Sequence, residues 1–384
     1  MSLVYRLTTE MRFEDPMLIS ILRSIRTRGG RRLTEAQWQA LKDTDGNYAN
    51  ATGDQDPSGQ YRDKGDWYQS SYSWTIVSMA QMVRSIESAR LARTTLFVVT
   101  AEDDWLNEPR HLASNSAKAE EKRKKVAEAV RRHPNMNDTG KLPAYNLFHI
   151  GQEVRILASV MPPHVTVDTK GTIVGVQFNE WESARNRNAV QTGDAAMVQL
   201  RIFPEKVYIK IHNCDKEWLD PTPCALHSEG GAKRACPHCN FHAGILGIPP
   251  WTNVRSWSIS IIVDNEEMQV SIKRRQLPFT TVKAGTIHSL QGETVEPGLI
   301  FHWEFPNGVR KDLRWLASYV ALSRVRSLAA FKSVGLTDKV RALLEKGPPD
   351  TLLEMFARLF AEKETATQQE ADRAMRELGW PLPM

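Results

Sequence analysis

A short polar stretch carries residue types that suit phosphate chemistry. The run TIHSLQGET begins at Thr286 and lies between two apolar segments. Its pattern predicts a strand, a tight turn and the start of a helix, with Gly292 allowing the backbone to approach a ligand closely. Free N–H groups at the start of the following element, together with the side chains of Thr286, His288, Ser289 and Gln291, would bind phosphate or sugar oxygens. A polar turn around a buried structural histidine would explain the same spacing, so this stretch alone leaves both interpretations open.

A second stretch favours one of these two interpretations. The run SYVALSRVRS, from Ser318, places Ser323, Arg324 and Arg326 directly after an apolar segment. Two arginines at this position are poorly explained as core residues. A guanidinium group can hold a phosphate through two parallel hydrogen bonds and can stabilise the charge on a transferred phosphoryl group. The second stretch therefore favours a phosphate site.

The positions of apolar and turn residues predict the elements around these stretches. Helical spacing predicts helices in DPMLISILRSIRTRGG, in LTEAQWQALKD, where Thr34 and Gln37 form a capping-box pattern, and in SWTIVSMAQMVRSIESARLA. The run TTLFVVTA predicts a buried strand, and AKAEEKRKKVAEAVRRH predicts a helix with a solvated charged face. Residues 44–73 are predicted to form a long loop. Two amphipathic helices are predicted in DTLLEMFARLFAEKE and QQEADRAMRELGW.

From about Phe148 onward, the spacing of apolar residues along the sequence changes. Short β-rich runs separated by turn residues follow one another, among them EVRILASV, KVYIKIH, RSWSISIIV and MQVSIKRRQLPFTTVKAG. They predict a small antiparallel β unit, either a sheet or a barrel, that interrupts an outer α/β unit.

The two polar stretches together resemble a known pair of motifs. AGTIHSLQGETV followed by SYVALSRVRSL is similar to motifs V and VI of superfamily one DNA helicases of the PIF type, which include the helicase part of Helitron transposons and have RecD-like cousins. LTTEMRFEDPMLISILRSIR resembles motif IV, and TTLFVVTAEDDWLNEPRHLA, with Asn107, resembles the segment after it. LFHIGQEVRILASVMPPHVTVDTKGTIVGV resembles the opening of the family's β-barrel insert, although VDTKG replaces the usual Asn-Gly. The resemblance covers most of residues 1–345.

The resemblance implies a fold class and an activity. We expect an α/β chain, the RecA-like second motor domain of a P-loop helicase, interrupted by a small β-barrel-like insert. Residues 1–147 and 284–345 would form the motor domain, 148–283 the insert and 346–384 a helical tail. The implied partners are ATP with Mg²⁺ and single-stranded DNA, on which hydrolysis would drive translocation.

The resemblance also implies roles for single residues. Arg324 would be the arginine finger on the γ-phosphate, and Arg12 would approach the phosphates. The implied nucleotide-binding residues are Gln291, Gly292, Glu293 and Arg326. The implied DNA-binding residues are Thr286, His288 and Ser289, with Ser289 standing where the family often has a lysine.

The pattern G-x-x-x-x-G-K-[ST] is absent from the sequence. We therefore expect the first motor domain, with its phosphate loop and magnesium ligands, to lie outside this chain, and the isolated chain to be inactive. The chain would be a fragment of a longer helicase or a decayed transposon product. The alternative function is a non-catalytic module that binds single-stranded nucleic acid.

All four cysteines lie in one polar segment. Cys224, His227, Cys236 and Cys239 have the spacing C-x2-H-x8-C-x2-C, and Cys214 precedes them. Two thiolates in CPHC can reach one zinc ion. The sequence supports a structural Zn²⁺ site and free thiols on a surface loop about equally.

The composition restricts the classes of protein to which the chain can belong. The chain has 384 residues, a net charge of +5 and a pI near 8.9, a mild basic bias that permits an anionic partner. No apolar run is long enough for a membrane span, and the first residues do not resemble a signal peptide. With so few cysteines, we expect an intracellular protein in a reducing compartment. The nucleus is the compartment that we expect.

Overall fold

The computed structural model describes residues 13–27, 32–46, 64, 66–105, 116–133, 136–184, 186, 197–214 and 244–377. The chain divides into two compact units: unit 1 is Met1–Gln55 with Ile287–Met384, and unit 2 is Asp56–Thr286. The boundaries of these units differ from the domain boundaries expected from the sequence. Residues 56–147 group with the β-rich segment and not with the outer unit.

The elements are as follows. The α-helices in the described ranges are α1 (Pro16–Arg26), α2 (Glu35–Lys42), α3 (Trp74–Ala92), α4 (Ala117–Arg132), α5 (Lys311–Leu322), α6 (Asp338–Glu345) and α7 (Asp350–Glu377). The strands are β1 (Tyr68–Ser71), β2 (Leu96–Thr100), β3 (Glu102–Trp105), β4 (Tyr145–Phe148), β5 (Glu153–Ile156), β6 (Lys170–Gln177), β7 (Met197–Gln199), β8 (Lys206–Ile211), β9 (Ile245–Ile248), β10 (Trp251–Thr252), β11 (Trp257–Val263), β12 (Glu266–Gln276), β13 (Phe279–Thr281), β14 (Ala284–Thr286), β15 (Leu299–His302) and β16 (Phe331–Val334). Short 3₁₀ helices span Met136–Thr139, Ile287–Leu290 and Leu328–Ala330.

Unit 1 contains a parallel strand pair joined by a helix. Strand β15 leads through α5 into β16, and Leu299 pairs with Phe331 at the start of the register. The buried carboxylate of Asp45 accepts hydrogen bonds from Ser333 Oγ at 3.2 Å and Leu336 N at 2.7 Å. This contact ties the segment after α2 to the end of β16.

The first two predicted helices, α1 and α2, are confirmed. Leu18, Ile21 and Ile25 of α1 are buried, as helical spacing requires. At the start of α2, Thr34 Oγ1 accepts from Gln37 N at 3.2 Å while Gln37 Oε1 accepts from Thr34 N at 2.9 Å. These reciprocal bonds are the predicted capping box.

Two local predictions are wrong. Residues 68–71, inside the predicted loop, form the buried strand β1, which pairs in parallel with β14. The sequence YQSS lacks the β-branched residues that indicate strands, so tertiary pairing decides it. Residues 350–377 form one helix where two were predicted. No glycine or proline separates the two periodic segments, and threonine alone is a weak helix breaker.

In unit 2, helix α3 packs on the parallel pair of β1 and β14 and on β4. Two serines of α3 contact the turn between β4 and β5. His149 Nε2 lies 2.8 Å from Ser88 Oγ, and Gln152 Nε2 donates to Ser85 Oγ at 2.9 Å. Both polar pairs are held within an otherwise apolar interface.

The largest sheet of unit 2 is antiparallel, as expected, whereas β7 pairs in parallel with β2. Five strands follow the order β13-β5-β6-β8-β9 over a core that includes Val154, Ile173 and Ile209. Among the described residues, no pairing joins the edge strands β13 and β9, so closure into a barrel stays a prediction.

A second antiparallel group in unit 2 consists of β10, β12 and β11, with β3 paired to β12. Helix α4 covers it with Val126 and Val130, which pack against Ile259 and Ile261. The charged side chains of α4 lie on its other faces and form exposed pairs such as Lys124–Glu120. None of the described helices has the length and apolarity that a bilayer crossing requires.

Candidate functional site

Arg324 follows the C-terminus of α5 in unit 1. The apolar run before it forms the last turns of α5, in which Val320, Ala321 and Leu322 are buried. Ser323 caps the helix, and its buried hydroxyl donates to Val320 O at 3.0 Å. The buried apolar residues anchor the helix, so the half-buried Arg324 leaves it in a defined direction.

The guanidinium group of Arg324 lies on the TIHSLQGET stretch. Its Nη1 donates to Glu293 O at 3.2 Å and to Leu290 O at 3.5 Å. Its Nη2 donates to Ser323 Oγ at 2.9 Å. In return, Arg324 O accepts from Val295 N at 2.8 Å. The two stretches that the sequence associated with phosphate are therefore in direct contact in unit 1.

The turn itself differs in part from the prediction. Strand β14 leads into the 3₁₀ helix Ile287–Leu290, which ends before Gly292, and the next regular element is strand β15. The helical turn of this stretch therefore follows the strand directly and lies before Gly292. Gly292 has φ +87°, a conformation that non-glycine residues rarely adopt. Its exposed Cα faces open space, since an added Cβ would meet nothing within 4 Å.

Arg326 lies beside two carboxylates. It is about half exposed, with Nη1 at 3.1 Å from Glu14 Oε1 and Nε at 3.0 Å from Glu296 Oε1. The hydrogen bond to Glu14, with the charges of Glu296 and Glu14, raises the pKa of Arg326 above its ordinary value. The group stays a cation, and an incoming phosphate would compete with these carboxylates.

The start of α1 adjoins the same loop. Glu14 N donates to Arg326 O at 3.1 Å, and Asp15 Oδ2 accepts from Leu328 N at 2.9 Å. The other oxygen of Asp15 caps α1 by accepting from Met17 N at 2.8 Å. The motif IV–like segment therefore meets the motif VI–like segment within unit 1.

The other predicted residues are distributed as follows. His288 and Gln291 are exposed, and Ser289 and Glu293 are partly buried, all in unit 1. Thr286, the last residue of β14, belongs to unit 2. Arg12 and Asn107 lie outside the described residues.

The sequence did not single out Ser323, Glu14 or Glu296 as partners of the two arginines. Because Ser323 directly precedes Arg324, the sequence could have indicated that the serine hydroxyl contacts the guanidinium group. Glu14 is 312 positions away from Arg326 in the chain, and nothing local indicates that contact.

Most of the predicted zinc ligands also lie outside the described residues: Cys224, His227, Cys236 and Cys239. Cys214 is described and is a partly buried free thiol. The part of the chain that the structure describes contains no group of three or more potential metal ligands. The zinc site therefore stays a prediction.

Neither a protein-family model nor a curated protein matches the chain. Among solved structures, Pif1 helicase from Candida albicans matches with 13% identity and a TM-score of 0.42, over 90% of this chain and 58% of that one. Pif1 helicase from Bacteroides in complex with ADP-AlF3 and ssDNA matches with 15% identity and a TM-score of 0.46, over 93% and 56%. Bacteroides Pif1 bound to ssDNA matches with 14% identity and a TM-score of 0.43, over 93% of this chain and 56% of that one.

The solved structures that the chain is similar to are those of Pif1 helicases, the type that its two polar stretches resemble. This chain spans little more than half the length of the Pif1 structures that it matches.

Proposed function

We propose that this chain is the C-terminal motor half of an ATP-dependent DNA helicase. A first motor domain, on the same or another chain, would supply the phosphate loop and the magnesium ligands. Unit 1 would then carry part of a RecA-like second motor domain, and the β-rich part of unit 2 its barrel-like insert. The partners would be ATP with Mg²⁺ and single-stranded DNA.

The observation that carries this proposal is the contact between Arg324 and the Leu290–Glu293 turn. The guanidinium is held in position by Ser323 Oγ and by two carbonyl oxygens of the turn. A preorganised cation beside an exposed glycine turn is suited to stabilising the charge that develops on a transferred phosphoryl group. Arg324 would act on the γ-phosphate, while Gln291, Gly292 and Glu293 would contact the nucleotide.

An ATPase measurement tests the role of Arg324. The purified chain alone should show no DNA-stimulated hydrolysis, since it lacks a phosphate-loop lysine. Fused to the first motor domain of a PIF-type helicase, it should hydrolyse ATP. Arg324→Ala in the fusion should lower kcat by roughly 10³, the effect of removing an arginine finger.

Arg310→Ala is the matched control, because Arg310 is an exposed arginine of unit 1 paired with Asp312 at 2.7 Å. Its fusion should keep the unsubstituted rate. Full activity in the Arg324→Ala fusion, or helicase-level hydrolysis by the isolated chain, would contradict the proposal.

A non-catalytic single-strand binding module is the second candidate, whether or not the gene is a decayed transposon. The ion pairs of Arg326 with Glu14 and Glu296 favour this candidate. They engage a guanidinium group that the helicase assignment would use to bind the nucleotide. This function predicts single-strand binding that ATP does not change, and a fusion with no hydrolysis.

The zinc site would be a structural addition to either function. About one zinc ion per chain should copurify if the Cys/His segment holds a metal. Metal-free protein with all four thiols alkylated in the native state would remove this part of the proposal.

A further inference from the structure

An apolar stripe is exposed along helix α3 of unit 2. Met79 is 48% exposed, Met82 37% and Ile86 40%, although each is large and hydrophobic. With Thr75 they follow the spacing i, i+4, i+7, i+11, which aligns them on one helical face. The face is about 16 Å long at 1.5 Å per residue. Buried residues of the same helix, such as Val77 and Ala80, face the unit's own core, so this stripe is additional to core packing.

Thr75, Met79 and Met82 of the stripe line a groove, and Ile86 lies one turn beyond it. The groove encloses about 320 Å³, and Met136, Pro143 and Leu147 also line it. Tyr145 contributes a further wall and is 37% exposed. The floor is ordered, since Asn146 Nδ2 donates to Phe279 O at 2.8 Å and to Leu277 O at 3.1 Å. An apolar groove with a fixed floor and methionine walls is typical of sites that accept helical peptides.

One rim of the groove is basic. Arg131, Arg132 and His133, at the end of α4, all line it. Arg132 pairs with Glu128, and His133 lies 2.9 Å from Asp138. Arg131 is exposed and forms no ion pair with any described residue. Among the residues that the structure describes, Arg131 is therefore the rim cation without an ion pair, and the rim complements a partner that carries acidic residues beside an apolar stripe.

We propose that this groove docks an acidic amphipathic helix of another protein. The partner's apolar residues would lie against Met79, Met82 and Ile86, and its carboxylates would face Arg131. A nucleic acid strand fits less well, because base stacking needs several aromatic faces, and Tyr145 is the one Phe, Tyr or Trp among the described residues that line this groove.

Peptide selection on the purified chain tests the docking site. A displayed library of helical peptides is selected on the unsubstituted chain and counter-selected on Met82→Glu. The enriched peptides should carry apolar residues at i, i+3 or i+4, and i+7, flanked by Asp or Glu. Labelled with fluorescein, they should bind Met82→Glu at least tenfold more weakly by anisotropy.

Two further variants separate charge from folding. Arg131→Glu, at an exposed position, should weaken binding several-fold at low salt, and a peptide with Lys in place of its acids should recover it. Ile262→Glu is the matched control, because Ile262 is 72% exposed on β11 and is not part of the groove. It should bind like the unsubstituted chain.

Four results would overturn the proposal: no enriched pattern, peptides that bind Met82→Glu equally, displacement of the peptide by oligo-dT, or a concentration-dependent dimer that Met82→Glu abolishes. The third would indicate a nucleic acid site and the fourth an interface between copies. None of these measurements depends on ATP hydrolysis, so the proposed function is tested separately.

Discussion

At the scale of single residues, backbone carbonyls and neighbouring side chains decide what the charged groups can do. Arg324 is held by Ser323 Oγ and by the carbonyl oxygens of Leu290 and Glu293. Arg326, two positions later, is compensated by Glu14 and Glu296. Two arginines that look equivalent in the sequence therefore differ in their contacts: Arg324 donates to a backbone turn, and Arg326 pairs with two carboxylates.

His149 should make folding stability depend on pH. It is 1% exposed, and burial lowers the pKa of its imidazole below the ordinary 6.5 despite a hydrogen bond to Ile150 O. The unfolded chain then binds more protons than the folded chain between the two pKa values. The stability that this group contributes is complete above about pH 6.5 and is lost as the pH falls.

Urea unfolding between pH 7.5 and 5 measures this effect. The slope should reach at most about 1.4 kcal/mol per pH unit from this group. His149→Gln should lower the stability at pH 7.5 but remove this share of the slope. Parallel curves for the two proteins would contradict the assignment to His149.

At the scale of elements, ion pairs and caps hold together segments that are distant in the chain. Strand β3 joins β12 through two neighbouring ion pairs of different burial. Arg274, 1% exposed, holds both oxygens of Asp103 at 2.7 and 2.8 Å. One position along, Arg275 pairs with Glu102 at 2.9 Å in the solvent. Because unpaired charges are costly only where water is excluded, these pairs should differ in energetic importance.

Alanine substitution of the two acids compares them directly. Asp103→Ala leaves the Arg274 cation buried and should cost about 3–5 kcal/mol of unfolding free energy. Glu102→Ala should cost less than about 1 kcal/mol. Denaturant unfolding measures both.

Replacing the buried pair together, by Asp103→Leu with Arg274→Met, should recover most of the loss, since no unpaired charge remains. Equal costs for the two alanine variants would show that burial does not separate these pairs.

At the scale of the whole molecule, the chain leaves unit 1, forms unit 2 and returns at Ile287. The return falls inside the TIHSLQGET stretch, so Thr286 belongs to unit 2 and His288 to unit 1. The net charge of +5 is small for 384 residues. A small net charge gives only weak attraction for a polyanion at physiological salt.

Binding of single-stranded DNA should therefore be weak, salt-dependent and tolerant of sequence. Thr286→Ala with His288→Ala should weaken it similarly for unrelated oligonucleotides, because both residues are expected to contact the backbone. His164→Ala, at an exposed histidine of unit 2, is the control and should bind like the unsubstituted chain.

Fluorescence anisotropy across a salt series measures both quantities. The affinity should fall with log[salt] by a slope of about −0.7 for each phosphate contacted. A strong preference for one sequence, or an unchanged double variant, would argue against the motor-half assignment and for a separate binding module.

The amino-acid sequence by itself determined features that depend on neighbouring residues. The buried face of α1, the capping box of Thr34 and Gln37, and the antiparallel pair of β5 and β6 all follow from periods and caps within a few positions. The two polar stretches were also recognisable, because their unusual residue types are contiguous.

Only the tertiary structure decided which distant groups meet. It placed Arg324 on the carbonyls of Leu290 and Glu293, more than 30 positions earlier, and paired Arg326 with Glu14. It also made YQSS a strand by pairing it with β14, and separated Thr286 from His288 into different units. The physical reason is that such contacts depend on packing between elements, whereas local pattern reports only which face of one element is apolar.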